Sequence, residues 1–361
     1  MNAAEYLAEL VKFPTHQAGA DGKAGNERAI CEYLVTELKK HGPDEIVLGT
    51  APRTEGGDGA YVFARWGMPK RVVNAHVDTV PANAGWSRDP WHPHLENGRL
   101  YGLGSADTKG AIAATLVALE TKRPKDVGVL FSGDEEAGCG VMRAFLSTSH
   151  IAGIREVLVC EPTARRAGTS HRGVLAQTAT LTGPGGHSSK ADFLPKPLAQ
   201  LARLAVALDD CGKRRLHEGP AGMTGTCLNI ADLRGGVAFN VIAAKAELEW
   251  SLRPYPGFDR ARWDAEIHEL ARAIDPAIAI TPKQSLDHVP FACETLAEFA
   301  RPFVSSLGPL DFWTEAALWN TAGIDAIVIG PGDIAQAHAA DEFVELADLD
   351  WFGGLLARWL Y

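Results

Sequence analysis

Five short apolar runs constrain this 361-residue chain more than any other feature: "EIVLG", "AYVFARW", "RVVNAHVD", "VGVLFSG" and "EVLVCEP". They are almost continuously apolar, and the last three close on polar or acidic residues. Strands buried on both faces read this way, whereas a strand with one wet face alternates. Helical stretches accompany them. These are the amphipathic "MNAAEYLAELVKFPTHQ", then "GNERAICEYLVTELKKHG", stopped by Gly42 and Pro43, and the small-residue-rich "TKGAIAATLVALETKR". The combination predicts an α/β domain, a mixed sheet covered by helices, which binds its ligand at the carboxyl ends of strands.

From about Arg172 the pattern changes. "GVLAQTATLTG" alternates like a one-faced strand, and "PLAQLARLAVALDD" has helical periodicity. "TCLNIADLRGG" and "NVIAAKAELEWSLRPYPG" read as two more strands, "RARWDAEIHELARAI" as a helix and "AIAITPKQS" as a last strand. The order β-α-β-β-α-β is that of a ferredoxin-like module. "EFARPFVSSLG", "DAIVIGPG" and the closing helix "DLDWFGGLLARWL" return to the α/β pattern. The expected division is therefore a discontinuous domain, 1–171 with 284–361, interrupted by an insert at 172–283.

A net charge of -10 argues against nucleic acid or an anionic membrane as partner. No apolar run approaches the length of a membrane span, and the N-terminus lacks the basic start of an export signal. The six cysteines show no CxxC spacing. They read as reduced thiols, which predicts a cytoplasmic protein.

The acids and histidines are the candidates for chemistry. "FSGDEEAGCG" puts Asp134, Glu135 and Glu136 in a row at a strand end, where ionising all three is costly unless a cation faces them. His76 and Asp78 close the strand in "NAHVDTVP", and Asp107 lies in the glycine-rich loop "GLGSADTKG". Glu161 ends "VLVCEPT", and His338 lies in "IAQAHAADEFV". Each alone has a bland explanation: a satisfied histidine, a solvated acidic pair, or an aspartate capping a helix. Together, at the ends of elements in one sheet, they form a donor set of imidazole and carboxylate without thiolate. Such a set suits zinc, cobalt or manganese, and two dications would relieve the repulsion.

The motifs "AHVDTVP…GRLYGLGSADTKGAIAA", "DEEAGCG", "EPT", "GGHSS", "LRPYPG" and "AHAADEFV", in this order, resemble the M20 family of metallopeptidases and deacylases. The resemblance implies that Asp107 bridges two divalent ions, zinc or cobalt. His76 and Glu161 complete one site, and Glu136 and His338 the other. It further implies that Asp78 orients His76, that Glu135 is the general base, and that the insert is a lid which also joins two copies into a homodimer. In that lid His187 is implied as the oxyanion donor and Arg253 as the clamp on the substrate's α-carboxylate. Asn240 would bind substrate, although Ala243 stands where the family usually has proline. The stretch "FWTEAALWN", Phe312 to Asn320, departs from the family's small-residue pattern and offers Glu315 as a substrate-binding residue.

The implied reaction is hydrolysis of the amide of a small N-acetyl-L-amino acid. N-acetyl-L-citrulline, in arginine synthesis, is expected ahead of N-acetyl-L-ornithine. Desuccinylation and small-peptide hydrolysis are the alternatives on the same centre. A non-catalytic binding protein with this fold is a further alternative, disfavoured by the complete ligand set with Glu135 beside it.

Overall fold

The computed structural model describes residues 1–18, 24–54 and 56–361, which fall into two compact units. One comprises Met1–Ser170, Ala292–Leu310 and Thr314–Tyr361; the other comprises His171–Phe291 with Asp311–Trp313.

The first unit is built on a mixed sheet. Its strands lie in the order Glu45–Pro52, Asp58–Trp66, Val127–Ser132, Arg71–His76, Glu156–Val159, Asp325–Val328 and Arg166–His171. The four from Val127–Ser132 to Asp325–Val328 are parallel, and an antiparallel strand flanks them on each side. Val73, Val129, Phe131, Leu158 and Ile327 belong to one buried cluster with Leu7, Leu10, Ile30, Leu34, Ile112, Leu116, Phe352 and Leu355 of the helices Ala3–Val11, Glu27–Lys39, Gly110–Leu119 and Leu346–Leu360. On the opposite face Phe63 packs on Phe145 of the helix Gly140–Leu146, which itself meets Trp319 of Ala316–Thr321, and cover on both faces explains the unbroken apolar runs. Gly110–Leu119 is buried almost all round, and a helix with apolar residues on every side belongs inside a core. Ala3–Val11 starts at Asn2, which forms a reciprocal capping box with Glu5.

Register brings the strand ends level. His76 lies opposite Ser132, and Asn74 opposite Val159. The segments after these residues, with Asp78, with Glu135 and Glu136, and with Glu161, therefore leave the sheet side by side.

The second unit is an antiparallel sheet in the order Asn229–Gly235, Lys245–Leu252, Val174–Thr182, Ala279–His288, with the helices Pro197–Arg214 and Arg260–Ile274. Chain order and spatial order together make it ferredoxin-like. Along Lys245–Leu252 the buried residues Ala246, Leu248, Trp250 and Leu252 alternate with partly or fully exposed ones. Two details differ from the sequence reading. "NVIAAKAELEWSL" divides into Val241–Ile242, which pairs with Gly186–His187, and Lys245–Leu252. The insert does not stop at 283. Pro282 has no N–H for the ladder, pairing slips, and it resumes at Asp287 and His288, so the unit ends at Phe291. Among the described residues no helix is long and apolar enough to cross a membrane.

Candidate metal centre

Five side chains converge at the carboxyl ends of the parallel strands. His76 is the last residue of its strand, and Asp107 lies in the short turn Ser105–Lys109 that leads into Gly110–Leu119. Glu136 follows the strand Val127–Ser132, Glu161 follows Glu156–Val159, and His338 lies in the segment after Asp325–Val328. They form two triads that share one residue: His76, Asp107 and Glu161, and Asp107, Glu136 and His338. Asp107 turns one oxygen to each histidine, with Oδ1 2.9 Å from His76 Nε2 and Oδ2 3.5 Å from His338 Nε2. Glu161 Oε2 is 4.0 Å from His76 Nε2, and Glu136 Oε1 is 3.1 Å from His338 Nε2.

Those separations fit metal ions. Ligand atoms about 2.1 Å from a tetrahedral ion lie roughly 3.4 Å from one another, and the four distances bracket that value. The electrostatics point the same way. Burial pushes Glu135, Glu136 and Glu161 upward, Glu135 and Glu161 well above the usual carboxylate range, with neighbouring carboxylates adding to it. Burial alone would push His76 down, but its hydrogen bond to Asp107 and the charges of Asp107, Glu161 and Asp78 hold it well above the usual imidazole range. The hydrogen bond with Glu136 lifts His338 to about 9. Acids that resist ionising beside imidazoles that resist deprotonation are what a cation would resolve.

Residues around the site are held in costly conformations. Asp134, Cys139 and His338 have φ of 64°, 62° and 60°, a region that side chains rarely adopt. A Cβ at Gly133 would lie 2.1 Å from Oε2 of the buried Glu27 and 2.8 Å from the Ala60 backbone oxygen, so any side chain there forces a shift.

Asp78 meets His76 through its main chain. His76 Nδ1 lies 2.8 Å from the Asp78 backbone oxygen and 3.6 Å from its carboxylate, so the carbonyl is the hydrogen-bond acceptor for the ring. The carboxylate is turned away, accepting the backbone N–H groups of Glu135 and Glu136 and the side-chain amide of Gln17. Gln17 and Glu342 escape a reading of motifs. The Glu342 carboxylate is buried and accepts the N–H groups of Gly104, Ala106 and Asp107 at 2.9, 2.9 and 3.1 Å, fixing the loop that carries Asp107. Its only signal is an acid four residues after His338 and next to Asp341, where an acid is ordinarily solvated.

Glu315 also departs from expectation. It is 2% exposed, and its Oε2 accepts Ser132 Oγ at 2.8 Å and Asn74 Nδ2 at 3.0 Å, while Trp319 Nε1 donates to Asn74 Oδ1. It belongs to a buried network under the strand ends and not to an open pocket, and burial pushes it up to about 7. The second unit carries the other candidates, all exposed. His187 pairs with Val241 in a small ladder, next to which Ser188 N–H donates to Asn240 O, and His187 Nδ1 lies 2.9 Å from Ser189 Oγ. Arg253 follows the strand Lys245–Leu252 with its backbone N–H on Thr226 O.

One carboxylate between two histidine-bearing triads, at the strand ends of a helix-covered sheet, is the arrangement of a two-metal hydrolase. The profile of peptidase family M20/M25/M40 matches residues 72–360, and the chain belongs to that family. It is 37% identical to N-acetyl-L-citrulline deacetylase of Xanthomonas campestris pv. campestris, over 96% of this chain and 93% of that protein. It is 30% identical to an acetylornithine deacetylase of Yersinia pseudotuberculosis, over 77% and 75%. Its fold matches the M20 family metallo-carboxypeptidase Sso-CP2 of Sulfolobus solfataricus with a TM-score of 0.78 at 17% identity, covering 100% of this chain and 99% of that one.

Proposed function

We propose that this chain hydrolyses N-acetyl-L-citrulline to citrulline and acetate, as a step of arginine synthesis. The observation that carries the chemistry is Asp107, with one oxygen directed to each of two histidines. Two divalent ions, zinc or cobalt, held by His76, Asp107 and Glu161 and by Asp107, Glu136 and His338, would polarise the amide carbonyl and acidify the attacking water. Glu135 takes the proton of that water and returns it to the departing amine. Its place in the turn beside the proposed ligand Glu136, with its N–H held by Asp78, suits that role.

The substrate follows from the higher identity to the citrulline enzyme and from Glu315. An ornithine side chain ends in an ammonium and calls for an acid, but Glu315 is engaged by Asn74 and Ser132. A neutral ureido group makes no such demand. In the second unit, His187 is the candidate oxyanion donor, Arg253 the candidate carboxylate clamp and Asn240 a further substrate contact. Each is exposed, and the Arg253 guanidinium forms no ion pair among the described residues. The same unit exposes Phe193, Val237 and Phe239, the last two beside an apolar cleft of about 770 Å³. An apolar patch of this kind supports a second copy of the chain as partner. The six free cysteines support a reducing, cytoplasmic location.

The test is a substrate panel on protein loaded with zinc or cobalt, following free amine. N-acetyl-L-citrulline should give the highest kcat/KM, above N-acetyl-L-ornithine, N-succinyl amino acids and dipeptides. A preference for ornithine would overturn the substrate, and a metal-loaded protein inert on the whole panel would overturn the reaction.

A further inference from the structure

Three successive backbone N–H groups form the turn that carries the proposed base and one proposed ligand, and each donates to a carboxylate from a distant part of the chain. Asp134 N–H donates to Glu27 Oε1 at 3.3 Å, Glu135 N–H to Asp78 Oδ1 at 3.2 Å and Glu136 N–H to Asp78 Oδ2 at 3.1 Å. Both acceptors are buried, Glu27 at 2% and Asp78 at 0% exposed. Two buried carboxylates this close repel, and each raises the cost of ionising the other. Arg53 offsets part of that through its 2.7 Å pair with Glu27, and Ala60 N–H serves the other Glu27 oxygen at 2.9 Å. Asp78 has no cationic side chain on its carboxylate other than His76, at 3.6 Å, among the described residues.

One side chain joins the two acids. Gln17 Nε2 donates to Asp78 Oδ2 at 2.6 Å and to Glu27 Oε1 at 3.2 Å. Gln17 is itself fixed, because its backbone N–H donates to Thr79 O at 2.8 Å and His16 forms a bridge with Thr79. The residue type suits the task. A primary amide offers two N–H donors and no charge, so it can hold two carboxylates at once. A glutamate there would add a third negative charge and remove the donors.

We propose that Gln17 is a positioning residue for hydrolysis: it clips Asp78 to Glu27, and the pair aims the Glu135–Glu136 turn. This rests on Glu135 being the proton carrier. An aimed base matters most where the proton moves, so losing the clip should lower kcat and leave KM nearly unchanged. Partners of this kind, one step behind ligands, typically change activity about 10- to 100-fold.

The test compares Gln17→Met, of similar length without donors, and Gln17→Glu with the wild type. Measurements are kcat and KM on N-acetyl-L-citrulline and metal content by elemental analysis. Both variants should hold two ions per chain, keep KM within about threefold, and lose kcat by about tenfold or more, Gln17→Glu the most. Because Gln17 acts through Asp78, adding Asp78→Asn to Gln17→Met should cost less than the product of the two single losses. Wild-type kcat in both variants, fully multiplicative losses, or a fall in metal content that accounts for the lost rate would each overturn the proposal. If Gln17→Met does not fold, Gln17→Glu decides by the same criteria, and failure of both to fold would make Gln17 a structural residue. An inert wild type would instead overturn the deacetylase reading, a separate outcome.

Discussion

Stripping and reloading metal should be a proton-releasing process. The protein's two histidines at the centre both hold protons more firmly than a free imidazole, His338 at about 9 and His76 well above its ordinary value. At pH 7 a group titrating near 9 is roughly 99% protonated, and an imidazole must lose its proton to ligate. Glu161 is also held well above the carboxylate range, mainly by burial. Loading two ions at pH 7 should therefore expel about one proton from His338 with a further contribution from His76, and apparent affinity at the His338 site should rise about tenfold per pH unit toward pH 9. Calorimetric titration of zinc or cobalt into chelator-treated protein, in buffers of different ionisation enthalpy, counts these protons. His338→Ala should release about one fewer. The sign carries over to stability. In stripped protein the His338 contribution is complete below about pH 6.5 and is lost as pH rises through about 9, so the gain in thermal midpoint on adding metal should grow across that window. Fewer than one proton released for two ions, or an affinity flat from pH 6 to 8, would refute the reasoning.

Glu135→Gln should keep two bound ions and lose turnover by about 10²–10⁴, measured by elemental analysis and steady-state kinetics, because it removes the base and leaves all five ligands. Asp107→Ala should retain less metal after dialysis than His338→Ala, since Asp107 belongs to both triads; equal stoichiometry would count against a bridge. Glu342→Gln turns an amide NH₂ toward a backbone donor of the Asp107 loop and should weaken metal binding about tenfold or more. Glu345→Gln breaks only an exposed pair with Arg99 and should leave metal affinity unchanged in the same titration.

Signals local to the chain specified the elements and the donors. Unbroken apolar runs announced the covered sheet, alternation announced the second unit, and the donors stand in short motifs at strand ends, where such signals are strongest. Asp107, with glycines on both sides and a small-residue helix after it, and the triplet Asp134–Glu136 after "VGVLF" were legible for that reason. Partnerships between positions far apart in the chain were settled only by folding. Gln17 meets Asp78 across 61 residues, and Glu342 meets Gly104 across 238. The Asp78 carboxylate serves two backbone amides while its carbonyl serves His76, and Glu315 is sealed against Asn74 and Ser132. Periodicity reports which face of a local element is buried. It carries no information on which distant donor will reach a buried carboxylate, because that match is made by strand register and helix packing after the chain has folded.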